Sequence, residues 1–322
     1  MKVSCEVEKK EKVFTTIQKY LKNPPVIIWG SGATIPYGLP SMSDLNIALK
    51  SKIKSFNPTN ENLEIELGKP DYFEKLHQIR DAIWEAVNEA EIGLINRSIS
   101  SNLKDLEPIK ELVEKFRSAH PKVLNIITTN YDRILEYVMG YYGIPFSDGF
   151  IGRELSSFDI DNFKESDIVN LVKVHGSLSW FDINNNNRYK MSKPQSCSPT
   201  IIPPGKNKYQ EAYKEPYREL IQKSDNLIKR ASSFLAIGFG FNDEHLTPKI
   251  REKVNNGTPL VLITKEITES CKSELKDAQK FVLLEALDEN TSLSMKIDKD
   301  ACREELMIEG NYWELNKFMK VL

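Results

Sequence analysis

VLNIITTNYD, residues 123–132, decides how this chain is read. The apolar run at its start fits a strand buried on both faces. It breaks off at Thr128, Thr129, Asn130, Tyr131 and Asp132. In an open α/β protein, polar side chains delivered to the carboxyl edge of a parallel sheet sit where ligands bind. Asn130 and Asp132, two residues apart, are suited to orienting a ligand amide or a water. The same residues also suit a plainer role, because Thr and Asn are good caps for a helix beginning near Tyr131.

Working outward, four more short apolar runs end in small or polar residues: VIIWG (26–30), IVNLVKVHG (168–176), FLAIGFG (234–240) and PLVLIT (259–264). Stretches with helical periodicity lie at 5–22, 42–54, 72–99, 105–118, 132–142, 209–230 and 243–254. Strands alternating with helices predict an α/β fold, a parallel sheet with helices on both faces. The span 42–120 holds no convincing strand and reads as an inserted helical module beside the ligand edge. The polar segment 183–199 reads as a surface loop or hairpin. The tail 307–322 reads as a short amphipathic helix docked on the core.

The strand ends carry the candidate chemistry. In VIIWGSGATIPYGLPS (26–41), a buried strand runs into Gly30, Ser31 and Gly32. Glycines there let backbone N–H groups approach a pyrophosphate, and a following helix N-terminus favours the anion. Ile35 breaks the common dinucleotide fingerprint, which demands a small residue at that place. In LVKVHGSLSW (171–180), His175 ends a strand beside Gly-Ser, a position for a general base. His77 and His120 lie in polar, helical surroundings, and His245 follows GFGFNDE. In FLAIGFGFNDEHL (234–246), Gly238 and Gly240 permit close backbone approach, while Asn242 and Asp243 suit a helix cap. Thr264 and Lys265, after PLVLIT, are in reach of a ribose or phosphate. Lys206 and Lys208 in IIPPGKNK (201–208) are read as solvated lysines, with a phosphate contact as the minor option.

Composition narrows the classes. A net charge of −2 gives no electrostatic case for direct binding to nucleic acid or an anionic membrane. No apolar run approaches the ~20 residues of a spanning helix. The charged N-terminus lacks a signal-peptide core, which predicts a cytoplasmic protein. The four cysteines, at positions 5, 197, 271 and 302, form no C-x-x-C pair. That argues against a zinc ribbon and for free thiols.

The joint order GSGATIPYGLPS, TTNYD, VHGSLSW, GFGFNDEH resembles the Sir2 (sirtuin) superfamily. More narrowly, it resembles the Sir2-like domain of bacterial anti-phage defence proteins such as the Sir2 subunit of Sir2–HerA systems. The resemblance runs from about residue 20 to 320. It implies a Rossmann-type NAD-binding core over 1–41 and 121–322, with 42–120 as the inserted module. It further implies catalytic roles for Asn130, Asp132 and His175 around the nicotinamide ribose. Gly30, Ser31 and Gly32 would hold the pyrophosphate. Thr34, Tyr37, Thr129, Gly238, Phe239, Asn242 and Thr264 would complete the dinucleotide contacts, with Gly238-Phe239-Gly240 standing where sirtuins have G-[ST]-S.

The departures from sirtuins are the absent four-cysteine zinc ribbon and Gly38-Leu39-Pro40-Ser41 in place of P-D-F-R. Both imply a NAD⁺ glycohydrolase releasing nicotinamide and ADP-ribose, with NAD⁺ as substrate and no zinc. Two alternatives stand beside it: a protein deacylase or ADP-ribosyltransferase, and a non-catalytic NAD or ADP-ribose sensor or scaffold. A toxic activity implies control, by homo-oligomerisation or by a partner such as a HerA-type ATPase.

Overall fold

The computed structural model describes residues 2–322 apart from 61, 153–154, 184–185, 191–196, 206–214, 289–290 and 298–303. Lys206, Lys208 and Cys302 thus lie outside the described residues. The chain opens with α1 (Lys2–Tyr20) and enters the sheet at β1 (Val26–Trp29). It then builds α2 (Met42–Lys52), α3 (Leu63–Leu67), α4 (Leu76–Ser100) and α5 (Glu107–Arg117) with no strand among the described residues between. The sheet resumes at β2 (Leu124–Thr128), followed by α6 (Ile134–Tyr141), β3 (Phe146–Ser147), β4 (Phe150–Gly152) and β5 (Ser156–Phe158). Next come β6 (Val169–Lys173), β7 (Gly176–Ile183), β8 (Asn186–Lys190) and β9 (Ser198–Ile201). The remainder is α7 (Tyr217–Arg230), β10 (Phe234–Ile237), α8 (Thr247–Asn255), β11 (Leu260–Ile263) and α9 (Glu269–Glu274), then β12 (Phe281–Ala286), β13 (Thr291–Ile297), β14 (Glu304–Glu309) and α10 (Leu315–Phe318).

All five predicted apolar runs are strands of one nine-stranded sheet, ordered β14-β13-β12-β11-β10-β1-β2-β6-β3. Pairing is parallel from β12 to β3. The near-continuous apolar strands have a direct cause: alternate residues serve opposite faces. Ile27, Trp29, Leu235 and Ile237 enter one core with α1, α2, α4, α5 and α6. Ile28, Ala236, Phe234 and Leu260 enter the other, with α7 and α8. The chain leaves β1 toward β2 and β6, then returns to its other side at β10. That reversal is the switch point at which such sheets open a ligand crevice.

Four elements differ from the sequence reading. The sheet is mixed, because β12, β13 and β14 pair antiparallel. Residues 307–309 of the tail are the end of β14, not helix. There Ile308 is buried and Met307 exposed, the two-residue alternation of a strand, and only Leu315–Phe318 is helical. A second, antiparallel sheet, ordered β4-β5-β8-β7-β9, forms beside the first. Four of its strands are short, and the longer β7 alternates small polar with apolar residues (GSLSWFDI), so none carries a continuous apolar run. Last, the GSG segment leads into two 3₁₀ turns, Ser31–Ala33 and Ile35–Tyr37, not a helix. Pro36 and the left-handed Gly38 stop helix propagation there.

Candidate functional site

Beyond the carboxyl ends of β1, β2, β6, β10 and β11 lies a cleft of about 620 Å³. Its floor is an interlock of two glycine turns. Gly30 N donates to Ile237 O at 2.9 Å, and Gly32 N donates to Gly238 O at 3.0 Å. A Cβ on Gly32 would sit 2.8 Å from Gly238 Cα. Gly238 has φ +57°, and a Cβ there would overlap the backbone of Gly32 and Ala33. The glycines are therefore demanded by the packing of the β1 and β10 turns on each other. Helix α2 reaches the cleft with its first turn, through Met42 and Ser43. It is closed by a capping box in which Ser41 N and Asp44 Oδ2 lie 2.8 Å apart.

The end of β2 forms a buried knot. Thr128 Oγ1 donates to Trp29 O at 2.7 Å and accepts from Asn130 N at 3.0 Å. Asn130 Nδ2 lies 3.1 Å from Gly30 O, 3.3 Å from Thr34 Oγ1 and 3.2 Å from Asp132 Oδ2. Thr34 Oγ1 donates to Asp132 Oδ2 at 3.2 Å. Asp132 Oδ1 accepts from the N–H of Ile134, the first residue of α6, at 3.3 Å, while the N-cap residue of that helix, Arg133, makes no side-chain cap. Burial pushes the Asp132 carboxyl above the ordinary aspartate range, and the Lys173 ammonium opposes that rise. Lys173, itself buried, donates to Asp132 O and, at 2.8 Å, to Glu136 Oε1.

His175 falls in the turn between β6 and β7. The turn needs Gly176, at φ +88°, because a Cβ there would overlap Thr200 O. His175 Nε2 lies 3.0 Å from Asp243 Oδ2, both side chains being buried. Asp243 Oδ1 accepts from His245 N at 3.0 Å and Leu246 N at 2.8 Å. Asp243 thus holds the turn that leads into α8, whose N-cap residue, Leu246, makes no side-chain cap, and it is also the partner of His175. Two carboxylate oxygens serve two purposes.

Asn130, Asp132 and His175 line one cleft together with Gly30, Ser31, Gly32, Thr34, Thr129, Gly238, Phe239, Asn242 and Thr264. Tyr37 is not among the lining residues. Its half-buried ring packs on the core below, and burial, aided by Asp105, pushes its phenol up to about 12. Several lining residues had no sequence signal strong enough to find them: Glu64, Tyr131, Pro204, Glu266 and Thr268. Asp243, which the sequence offers only as a helix cap, also lines the cleft.

Helix α4 holds this wall from behind. Trp84 Nε1 donates to Leu178 O at 2.8 Å, fixing β7. Glu91, fully buried, takes Arg133 Nε at 2.7 Å and Nη2 at 2.6 Å, and also accepts from the Arg133 backbone N–H. Burial raises the Glu91 carboxyl, and Arg133 works against that. Glu91→Ala leaves the Arg133 amide without its acceptor and the guanidinium with only Asn88 Oδ1, at 2.8 Å. The expected cost is about 3 kcal/mol, the scale for breaking a buried pair from one side, checked by urea unfolding against wild type.

The fold is a Rossmann-type α/β fold with a cleft at the sheet's switch point. Residues 124–281 match the model of the SIR2-like domain family. Comparison with curated proteins finds no match. Similar solved structures include a Sir2 homolog in complex with NAD, at 15% identity, with 85% of this chain and 87% of that chain covered and a TM-score of 0.47. Another comes from work on the mechanism and regulation of Sir2 enzymes, at 12% identity, with 96% of each chain covered and a TM-score of 0.47. A third is Sir2 bound to acetylated peptide, at 14% identity, with 80% and 85% covered and a TM-score of 0.42.

Among the described residues no group of three or more His, Cys, Asp or Glu is arranged to hold a metal ion. Nor is any described helix long and apolar enough to cross a membrane.

Proposed function

We propose that this chain binds NAD⁺ in the cleft and breaks its nicotinamide–ribose bond, passing the ADP-ribosyl group to water. The observation that supports this reading is the meeting of the Asn130–Asp132 knot and the His175–Asp243 pair in one cleft. Nicotinamide leaves as a neutral molecule, so the sugar carbon gains positive charge in the transition state. Asn130 faces that carbon and holds it in line with its acceptor. Asp132 fixes Asn130 and stabilises the developing charge. His175 takes a proton from a ribose hydroxyl. Ser31, Thr34 and the turn after β10 hold the phosphates, while Thr264 meets the second ribose. The chain incubated with NAD⁺ should release nicotinamide and ADP-ribose in equal amounts, followed by chromatography. Bound NAD⁺ without nicotinamide release would favour the sensor or scaffold role.

The second reading is deacylation, in which acyl-lysine takes the place of water. Sir2 has been seen with acetylated peptide, so that acceptor is tested in the same assay. An acetyl-lysine peptide that speeds nicotinamide release and loses its acetyl group would select it. A finer proposal concerns biological use: NAD⁺ depletion in the cytoplasm during anti-phage defence, gated by homo-oligomerisation or a co-encoded HerA-type ATPase. Turnover that ignores protein concentration and the co-encoded partner would remove that gate.

A further inference from the structure

Lys173, the last residue of β6, is 1% exposed, and the cleavage chemistry proposed for Asn130, Asp132 and His175 does not use it. Val169 and Leu171 share its face of the strand and join the apolar core beneath α4, α5 and α6. A third apolar side chain would complete that face. Replacing a buried ion pair by apolar groups of similar volume is often neutral or stabilising, so packing gives no reason for an ammonium here.

Its contacts give one. In the sheet register Lys173 stands beside Thr128, the last residue of β2. From there Nζ donates to Asp132 O and, at 2.8 Å, to Glu136 Oε1 of α6. The same stretch of β6 and β7 takes up the rest of the exit from β2. Val174 N donates to Thr128 O at 3.0 Å, and Leu178 N donates to Tyr131 O at 2.9 Å. The segment that carries Asn130 and Asp132 is therefore pinned at three carbonyls, 128, 131 and 132. Backbone amides serve the first two, and the ammonium serves the third. It also sets a positive charge at the Asp132 backbone. Burial works to protonate the Asp132 carboxyl, Lys173 opposes this, and Glu136 reinforces it. Glu91 of α4 faces the same carboxyl and is itself paired with Arg133.

Resting on the NAD⁺-cleavage reading, we propose that Lys173 is a positioning residue for the reaction, gripping the Asp132 peptide so that the Asn130–Asp132 pair stands fixed and charged in the cleft. An ionised Asp132 stabilises positive charge on the sugar carbon, and a protonated one does not. Glu136 holds the ammonium from behind and tempers its charge.

The test is nicotinamide release across pH by the full chain and by Lys173→Met, Glu136→Gln and the double variant, with thermal unfolding of each. The double variant leaves no lone buried ion, so it should unfold no lower than wild type. Its kcat should nonetheless fall ~10–100-fold, the range for groups that orient the residues of a metal site, with KM for NAD⁺ little changed. The acid limb of kcat/KM reports groups of the free enzyme. Without the ammonium the Asp132 carboxyl protonates more readily, so Lys173→Met should move that limb to higher pH. Without the Glu136 charge it protonates less readily, so Glu136→Gln should move the limb to lower pH. If Lys173→Met does not fold, the other two variants decide. A folded double variant with wild-type kcat overturns the role of Lys173. So does an acid limb that stays in place in every folded variant, or activity that falls only in step with stability, as for a purely structural pair. A wild-type chain that releases no nicotinamide is a different result: it overturns the cleavage reading, and the role of Lys173 with it.

Discussion

Asn130→Ala should abolish nicotinamide release from NAD⁺, with turnover falling by ~10²–10³, the range for removing one preorganised polar group from a charge-developing site. The side-chain amide is held through Nδ2 by Gly30, Thr34 and Asp132. Its carbonyl oxygen is then the end that can meet a positively charged sugar carbon or a water. Alanine removes that oxygen and also leaves buried acceptors short of a donor, a stability cost of about 1–3 kcal/mol. His175→Ala should lower turnover by ~10²–10⁴, the span for a positioned proton acceptor. Asp243→Asn should lower it by less, because the imidazole stays and only its partner changes. Thermal unfolding of each variant separates loss of chemistry from loss of fold. Wild-type rates in both Asn130→Ala and His175→Ala would refute the assignment.

Gly238→Ala should be strongly destabilising. A side chain at φ +57° costs about 1–2 kcal/mol, and the added Cβ falls on the backbone of Gly32 and Ala33, where nothing flexible can yield. Overpacking of a rigid site adds about 1–3 kcal/mol, so the sum of about 2–5 kcal/mol is a large share of an ordinary domain's ~5–15 kcal/mol. Gly140→Ala is the control. Gly140 lies in α6, and a Cβ there has nothing within 4 Å. That substitution should stabilise by about 0.5–1 kcal/mol through helix propensity. Urea denaturation of the pair gives both signs. A soluble, wild-type-like Gly238→Ala would show that the two turns do not interlock as described.

The parallel strands were legible because burial on both faces demands unbroken apolar runs, as in VLNII before Thr128 and FLAI before Gly238. Helical stretches followed for a similar reason: one apolar stripe, repeated every three to four residues, marks a helix on the sheet. The second sheet was not legible. Ser177 and Ser179 alternate with Leu178 and Trp180 in β7, yet all four are buried, because α4 covers one side and the first sheet's end the other. β14 was misread because a run such as LMIE is too short to separate strand from helix by period. Within the site, residues at strand ends could be found from sequence, since a strand end has a fixed address at the sheet edge. Glu64, Tyr131 and Pro204 reach the cleft through tertiary packing of loops and α3, which no local pattern encodes. The His175–Asp243 pair has the same cause, joining the turn after β6 to the loop after β10.

The hydrogen bonds of the β2 knot also bear on when the site comes into being. Asn130 and Gly30 are 100 residues apart in the chain, and Thr34 and Asp132 are 98 apart. The β10 turn that locks Gly30 arrives later still. Contacts this distant close slowly, because chain entropy must be overcome before they contribute. A chain emerging from the ribosome can form α4 and the β1–β2 pair early, but it has no partner for His175 until Asp243 has been made. Whatever this cleft does to its ligand therefore begins only at the end of folding, and a nascent or half-folded chain is silent.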